Sequence, residues 1–210
     1  MSAQLSYKTL RAENSAEFVI NKSRFIGYGC PCETEEEALA FLARIRQKHK
    51  DATHNCYAYI IGLNSGIMRY SDDGEPGGTA GMPIIEVMKA RGVVNCAVVV
   101  TRYFGGILLG TGGLVRAYTA AASGALQSAE LVSMRLVVDC KVRVSYAQFE
   151  QAQRVIAAAE TRLDEPIFDD AVTLCWRMPA GREETLRTAL NELTRGGAEV
   201  EISAPQYAAF

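Results

Sequence analysis

The 210-residue sequence predicts an α+β protein of two domains. Three observations carry that reading. Residues 136–202 switch between strand and helix spacing in the order βαββαβ. Residues 95–101 are apolar almost throughout, as in a strand covered on both faces. Three stretches with helical spacing (33–50, 79–91 and one beginning near Thr111) stand on either side of that strand.

Taken in chain order, residues 18–28 read as one or two strands, with Asn21-Lys22-Ser23 as a bend. Residues 33–50 read as a helix. Thr34 caps it, Glu35, Glu36 and Glu37 sit at the positive end of its dipole, and Lys48 and Lys50 at the negative end. Leu39, Leu42 and Ile45 supply its apolar stripe, and His49 is expected to be solvated at its end. Residues 55–61 form a strand that pairs with 67–70 across Asn64-Ser65-Gly66. The helix over 79–91 tolerates Pro83 only in its first turn. Thr111 is expected to cap the next helix, whose stripe is Leu114, Val115, Tyr118, Ala121, Ala122, Ala125 and Leu126.

The domain boundary is expected near 131–135, dividing the chain into 1–133 and 134–210. Beyond it Leu136, Val138, Cys140, Val142, Val144 and Tyr146 alternate with Val137, Asp139, Lys141, Arg143 and Ser145, so one face is apolar and the other mostly wet. A helix follows with Phe149, Ala152, Ile156 and Ala159 on one stripe. A short strand over 162–168 turns at Asp169-Asp170 into a hairpin partner bearing Val172, Leu174, Trp176 and Met178. After Pro179-Ala180-Gly181, a helix with Leu186, Ala189, Leu190 and Leu193 runs to Gly196-Gly197. Val200 and Ile202 close the pattern. This is the ferredoxin-like order, with an antiparallel sheet and both helices on one face.

Composition narrows the function classes. With 49% hydrophobic and 22% charged residues the chain is built to fold. A net charge of −2 gives no global attraction to polyanions, so any such site must be local. No apolar run approaches the ~20 residues of a membrane helix. The first residues, MSAQLSYKTLRAENS, hold no apolar signal core, so a cytoplasmic protein is expected, its six cysteines reduced and mostly buried.

More than half of the 18 glycines fall within residues 71–118, where the sequence reads as built around a site. In Arg102-Tyr103-Phe104-Gly105-Gly106 through Gly110-Thr111-Gly112-Gly113, two glycine clusters flank an apolar triplet, and the second opens a helix. Free N–H groups at such a helix start suit an anion, and Arg102 and Arg116 add charge and bidentate donors. No GxGxxG or GxxxxGK[ST] pattern is present, and close packing explains the glycines equally well. Asp72, Asp73 and Glu75 sit in a glycine- and proline-bounded turn. They are expected to shape the cleft and orient the arginines, with cation binding or acid–base work as the alternative. His54, Cys56, Cys30 and Cys32 match no familiar zinc spacing, so no metal or cofactor is expected and no catalytic residue is assigned. Tyr57, Tyr59, Tyr70, Tyr103 and Phe104, beside Lys89, Arg91 and Arg102, suit either core packing or base stacking.

The stretches SDDGEPGGTAGMPI and VVVTRYFGGILLGTGGLVRAY resemble the signature of the YigZ/IMPACT family. The close match spans about 20–130, and the βαββαβ tail fits the bacterial two-domain members. This resemblance implies an N-terminal domain like ribosomal protein S5 domain 2 and a C-terminal domain similar to the last domain of elongation factor G. It also implies a role in translation, since eukaryotic members regulate translation through a kinase-activating partner. It implies no catalytic residue. The expected partners are RNA or the ribosome, bound without catalysis, and a protein partner in translation control is the further candidate. The rival readings are a magnesium-dependent enzyme handling phosphate on a small metabolite or nucleotide, with Asp72 or Asp73 as metal ligand or base, and a protein–protein adaptor using the C-terminal sheet.

Overall fold

The computed structural model describes residues 6–63 and 66–210, so Asn64 and Ser65 of the expected hairpin turn lie outside the described residues. The chain divides into two compact units, Met1–Ser133 and Met134–Phe210. The fold class is the expected α+β, with antiparallel sheets and, among the described residues, five helices.

The first unit contains β1 (Ser6–Leu10), β2 (Asn14–Ile20), β3 (Ser23–Pro31), α1 (Glu35–Lys48), β4 (His54–Ile61), β5 (Ile67–Ser71), α2 (Gly81–Arg91), β6 (Cys96–Tyr103) and α3 (Gly110–Ser128). Five strands form one antiparallel sheet in the order β2-β3-β6-β4-β5. Asn21 and Lys22 both take positive φ (46° and 65°) in the bend that joins β2 to β3. Strand β6 lies at the centre, and Cys96 to Val100 are essentially without exposure, as their apolar run predicts. Side chains alternate across a strand. Cys96, Val98 and Val100 therefore join Ile84, Met88, Leu114 and Tyr118 on the α2–α3 face. Ala97 and Val99 join Phe41, Leu42 and Ile45 beneath α1 on the other. Gly27 of β3 allows α3 to approach, since a Cβ there would stand 2.5 Å from the Ala121 carbonyl oxygen.

Several local expectations are corrected. In α1 the buried stripe is Ala38, Phe41, Leu42 and Ile45, and Leu39 is exposed, because the stripe drifts one position from the predicted phase. Thr34 does cap, accepting from the Glu37 N–H. Thr111 does not cap α3. The cap is Leu109, and Thr111 lies inside the first turn. Val115 is exposed, and Ala117 takes its place in the buried stripe.

His49 is buried rather than solvated. Its Nε2 lies 2.7 Å from the Tyr28 hydroxyl and its Nδ1 2.8 Å from the Tyr103 hydroxyl. Burial, aided by the charges of Lys48 and Arg24, holds its pKa below the usual histidine range. An unfolded histidine titrates near about 6.5. Below that pH the unfolded chain takes up a proton that folded His49 refuses, so stability falls with acid until the folded value is passed. Thermal unfolding between about pH 7.5 and 5 should show Tm falling toward acid, with a shallower slope in His49→Gln. Equal slopes in the two proteins would contradict this assignment.

The second unit holds the rest of β7 (Leu131–Val144), which starts earlier than predicted, then α4 (Tyr146–Ala157), β8 (Arg162–Leu163), β9 (Ile167–Phe168), β10 (Val172–Pro179), α5 (Glu183–Thr194), β11 (Val200–Ile202) and β12 (Gln206–Ala209). The expected strand over 162–168 is two short pieces, both paired with β10. Strand β10 pairs with β7, and β11 lies on the other edge of β7. That is the 4-1-3-2 order of a ferredoxin-like sheet. Leu186, Leu190, Ala152 and Ile156 cover one face, over Val138, Val142, Leu174 and Trp176. Tyr146 leaves the predicted strand and opens α4, because Ser145 and Gln148 form a capping box. Strand β12, unpredicted, pairs with the start of β7, where Val137 is buried despite its place on the expected wet face. On that open face Arg177 and Lys141 pair with Asp139 and Glu201.

Candidate anion-binding cleft

Strand alternation decides which of the expected site residues meet. Arg102 and Tyr103 end β6 side by side and therefore point to opposite faces of the sheet. Tyr103 turns toward α1 and bonds His49. Arg102 turns toward α2 and α3, where it is 5% exposed. The sequence reading, which groups the two, is corrected by the two-residue period of a strand.

Arg102 is not free for a ligand as expected. Its Nη1 donates to Glu75 Oε1 at 2.7 Å, and both side chains are almost wholly buried. The Tyr118 hydroxyl donates to the same oxygen at 2.7 Å. Burial, with Cys56 and Glu75 close by, pushes the Tyr118 pKa far up, so the hydroxyl keeps its proton and remains a donor. Burial likewise pushes the Cys56 thiol up to about 12, and that thiol contacts the Asp72 carbonyl oxygen at 3.0 Å. The Arg102 guanidinium also lies 5.5 Å from the Phe25 ring centroid and 5.4 Å from that of Phe104. Of the expected acidic cluster, Glu75 alone orients an arginine of the expected anion site.

Asp72 and Asp73 are spent locally. Asp72 accepts from the backbone N–H groups of Gly78, Ala80 and Gly81, at the start of α2, where Ala80 as N-cap brings no side-chain acceptor. Burial raises its pKa, but these bonds more than offset it and hold the carboxyl below the usual range. Asp73, at φ 46°, accepts from the Asn55 N–H at 2.6 Å and from Arg46 at 3.2 Å. Neither aspartate lines the cleft described next, which weighs against Asp72 or Asp73 as metal ligand or base. Among the described residues no group of three or more His, Cys, Asp or Glu converges as a metal set.

A cleft of about 410 Å³ opens over this cluster. Thr53, His54, Glu75 and Arg102 form its polar side, Phe104, Leu108, Leu109 and Leu114 its apolar side, and Gly110 and Thr111 bring in the start of α3. Sequence reasoning missed His54 as a lining residue. The one available signal was its strand phase, two residues before Cys56 on the α2–α3 face. Its Nδ1 lies 2.8 Å from the Asp73 carbonyl oxygen, which only accepts, so Nδ1 carries a hydrogen. Its Nε2 stands 3.8 Å from Glu75 Oε2.

The loop after β6 is held by Gly105, whose N–H donates to Ser23 Oγ at 3.2 Å. Gly106 and Gly110 take positive φ (81° and 66°). No side chain caps α3 and no acidic residue stands in its first turn. Its first N–H groups therefore lack an intrahelical partner, and Thr111 and Gly112 are exposed. Arg116 is exposed and forms no ion pair among the described residues. Its Nη1 lies 3.8 Å from the point where a Cβ on Gly112 would stand. The structure thus brings Glu75, Arg102, Gly110 and Thr111 into one cleft, with Gly112 and Arg116 at the adjoining helix start. Tyr103 lies apart, and Gly105 and Gly106 serve the loop.

These features define a class: a two-unit α+β protein whose antiparallel first unit offers an uncapped helix start beside a buried ion pair, followed by a ferredoxin-like unit. A family profile described as the Impact N-terminal domain matches residues 21–126, and one described as a domain of unknown function, DUF1949, matches residues 142–196. IMPACT family member YvyE of Bacillus subtilis is 37% identical over 202 residues, covering 96% of this chain and 93% of its own. IMPACT family member YigZ of Escherichia coli is 33% identical, covering 86% and 90%. Protein IMPACT of mouse is 36% identical over 94 residues, which cover 42% of this chain and 29% of its own. A crystal structure described as that of a hypothetical protein superposes with a TM-score of 0.63 at 31% identity, covering 94% of this chain and 97% of that one. The chain belongs to the IMPACT family.

Proposed function

We propose that this protein is a cytoplasmic, non-enzymatic regulator of translation that binds a phosphate-bearing macromolecule, RNA or the ribosome, at the start of α3. The observation that carries the reading is the uncapped N-terminus of that helix, with exposed Thr111 and Gly112 and an Arg116 that forms no ion pair among the described residues alongside. Free N–H groups and the helix dipole favour an anion there, and a guanidinium adds a second, bidentate donor set. Arg102 contributes differently from the sequence expectation. Locked to Glu75, it stiffens the wall of the cleft and leaves Arg116 as the exposed cation at the helix start. Among the described residues no helix is long and apolar enough to cross a membrane.

Binding through phosphates releases counterions and is therefore salt-dependent. Filter-binding titrations of single-stranded RNA at several salt concentrations should show Arg116→Ala binding more weakly than the parent. The slope of log affinity against log salt should be shallower by about 0.7 to 1. Equal affinity and slope in both proteins would contradict the assignment.

A further inference from the structure

The α1 side of the first sheet carries a pair of thiols remote from the cleft, which opens on the α2–α3 side. Tyr28, Cys30 and Cys32 all turn toward α1, as every second residue of an extended chain must. Pairing with β6 continues past Pro31, because the Cys32 N–H donates to the Asn95 carbonyl oxygen at 2.9 Å. Two extended residues at about 3.3 Å each set the Cα atoms of Cys30 and Cys32 ~6.6 Å apart, inside the ~4.4–6.8 Å that a disulfide spans. Both side chains bend toward the proline between them. Cys30 Sγ lies 3.4 Å from the Pro31 carbonyl oxygen, and Cys32 Sγ lies 3.6 Å from that of Cys30. Both are free thiols, Cys30 partly exposed and Cys32 buried. The Cys32 thiol, a donor beside the Cys30 sulfur, holds the Cys30 pKa below the usual thiol range. Burial and the carboxylates of Glu13 and Glu37 oppose this, and Arg44, itself bonded to Glu13, assists it. Cys32 is pushed far up, first by Cys30 and then by burial, with Cys96 of β6 and Glu37 adding to it.

We propose that Cys30-Pro31-Cys32 is a thiol–disulfide exchange site, oxidised by small-molecule disulfides to a bond between Cys30 and Cys32. The thiolate is the attacking species, and Cys30 is the thiol that solvent reaches. Cys30 Sγ attacks one sulfur of the incoming disulfide. That S–S bond breaks, and the first small thiol leaves with the electron pair. Cys30 then carries a neutral mixed disulfide, so the charge that keeps Cys32 protonated is gone. Cys32 loses its proton to solvent and attacks Cys30 Sγ, and the second small thiol leaves. Two protein thiols are oxidised, and one disulfide is reduced to two thiols. This inference is independent of the phosphate site.

The test treats the folded full chain with glutathione disulfide near neutral pH, quenches it with acid and maps the cysteines by peptide mass spectrometry. In the parent, the peptide holding both residues should lose two hydrogens and carry no glutathione. Cys30 should be consumed several-fold faster than Cys175, the other partly exposed cysteine. Cys32→Ala should stop at a stable glutathione adduct on Cys30, and Cys30→Ala should leave Cys32 unmodified. If either variant fails to fold, the parent alone decides. A parent that keeps glutathione on Cys30 would show that Cys32 does not resolve it and would overturn the proposal. So would a parent in which Cys30 reacts no faster than Cys175, or one in which Cys30 pairs with a cysteine other than Cys32.

Discussion

Glu75→Ala is expected to destabilise the first unit by about 3–5 kcal/mol, the largest effect of any single change at the cleft. The reason is not the strength of the Arg102–Glu75 pair, because two buried charges lose much of their attraction to desolvation. It lies in what remains. Removing the carboxylate strands a guanidinium that is 6% exposed and takes away the acceptor of the Tyr118 hydroxyl. Arg102→Ala leaves the opposite orphan, a buried carboxylate whose remaining side-chain donor among the described residues is the Tyr118 hydroxyl. The double replacement Glu75→Leu with Arg102→Met removes both charges at similar volume. It should cost much less than the sum of the single changes, with a coupling of several kcal/mol, as expected when two groups share one buried interaction. Urea unfolding of the parent, Glu75→Leu, Arg102→Met and the double variant measures this cycle. Strict additivity would show that water reaches the pair and that the wall of the cleft is not the dry, fixed structure described.

Gly105→Val is expected to destabilise by about 1–3 kcal/mol and to weaken RNA binding as well. A Cβ on Gly105 would stand 2.0 Å from the Lys22 carbonyl carbon, 2.1 Å from its oxygen and 2.4 Å from the Ser23 nitrogen. All three are backbone atoms in the bend between β2 and β3, so no side chain can swing aside. Either the bend or the loop after β6 has to move. That loop carries Phe104, which packs on Arg102, and leads to Leu108, Leu109 and the start of α3. Gly77→Ala is the control. Its Cβ meets nothing within 4 Å and its φ is unremarkable, so that change should be nearly neutral. A Gly105 variant as benign as the Gly77 variant would contradict the close approach.

Much of this architecture is legible in the sequence because periodicity reports burial directly. Val172 to Met178 alternate as their strand requires, and the apolar run through Val98 to Val100 marks the central strand between two helix layers. Helix α1 was legible too, though it ends at Lys48 rather than at Lys50, but the burial of His49 was not. It depends on two tyrosines, at positions 28 and 103, contributed by distant strands. The cleft was half legible. Glycine density marked the loop and the start of α3, because backbone that must turn sharply or approach closely excludes other residues. Pairing was not legible. Nothing in the spacing of Asp72, Asp73 and Glu75 tells that the first binds the backbone at the start of α2, the second bonds Asn55 and Arg46, and the third alone meets Arg102. Strand parity would have separated Arg102 from Tyr103 and placed His54 with Cys56, had it been carried through to the ends of β6 and β4.

The central claim is that the start of α3, reinforced by Arg116, holds an anion. Amide-resolved NMR during titration with inorganic phosphate at constant ionic strength tests it most directly. The account predicts saturable shifts at the amides of Thr111, Gly112 and Gly113, diminished in Arg116→Ala. Amides at those positions that stay still while exposed lysines elsewhere respond, or shifts that survive the Arg116 substitution unchanged, would contradict it.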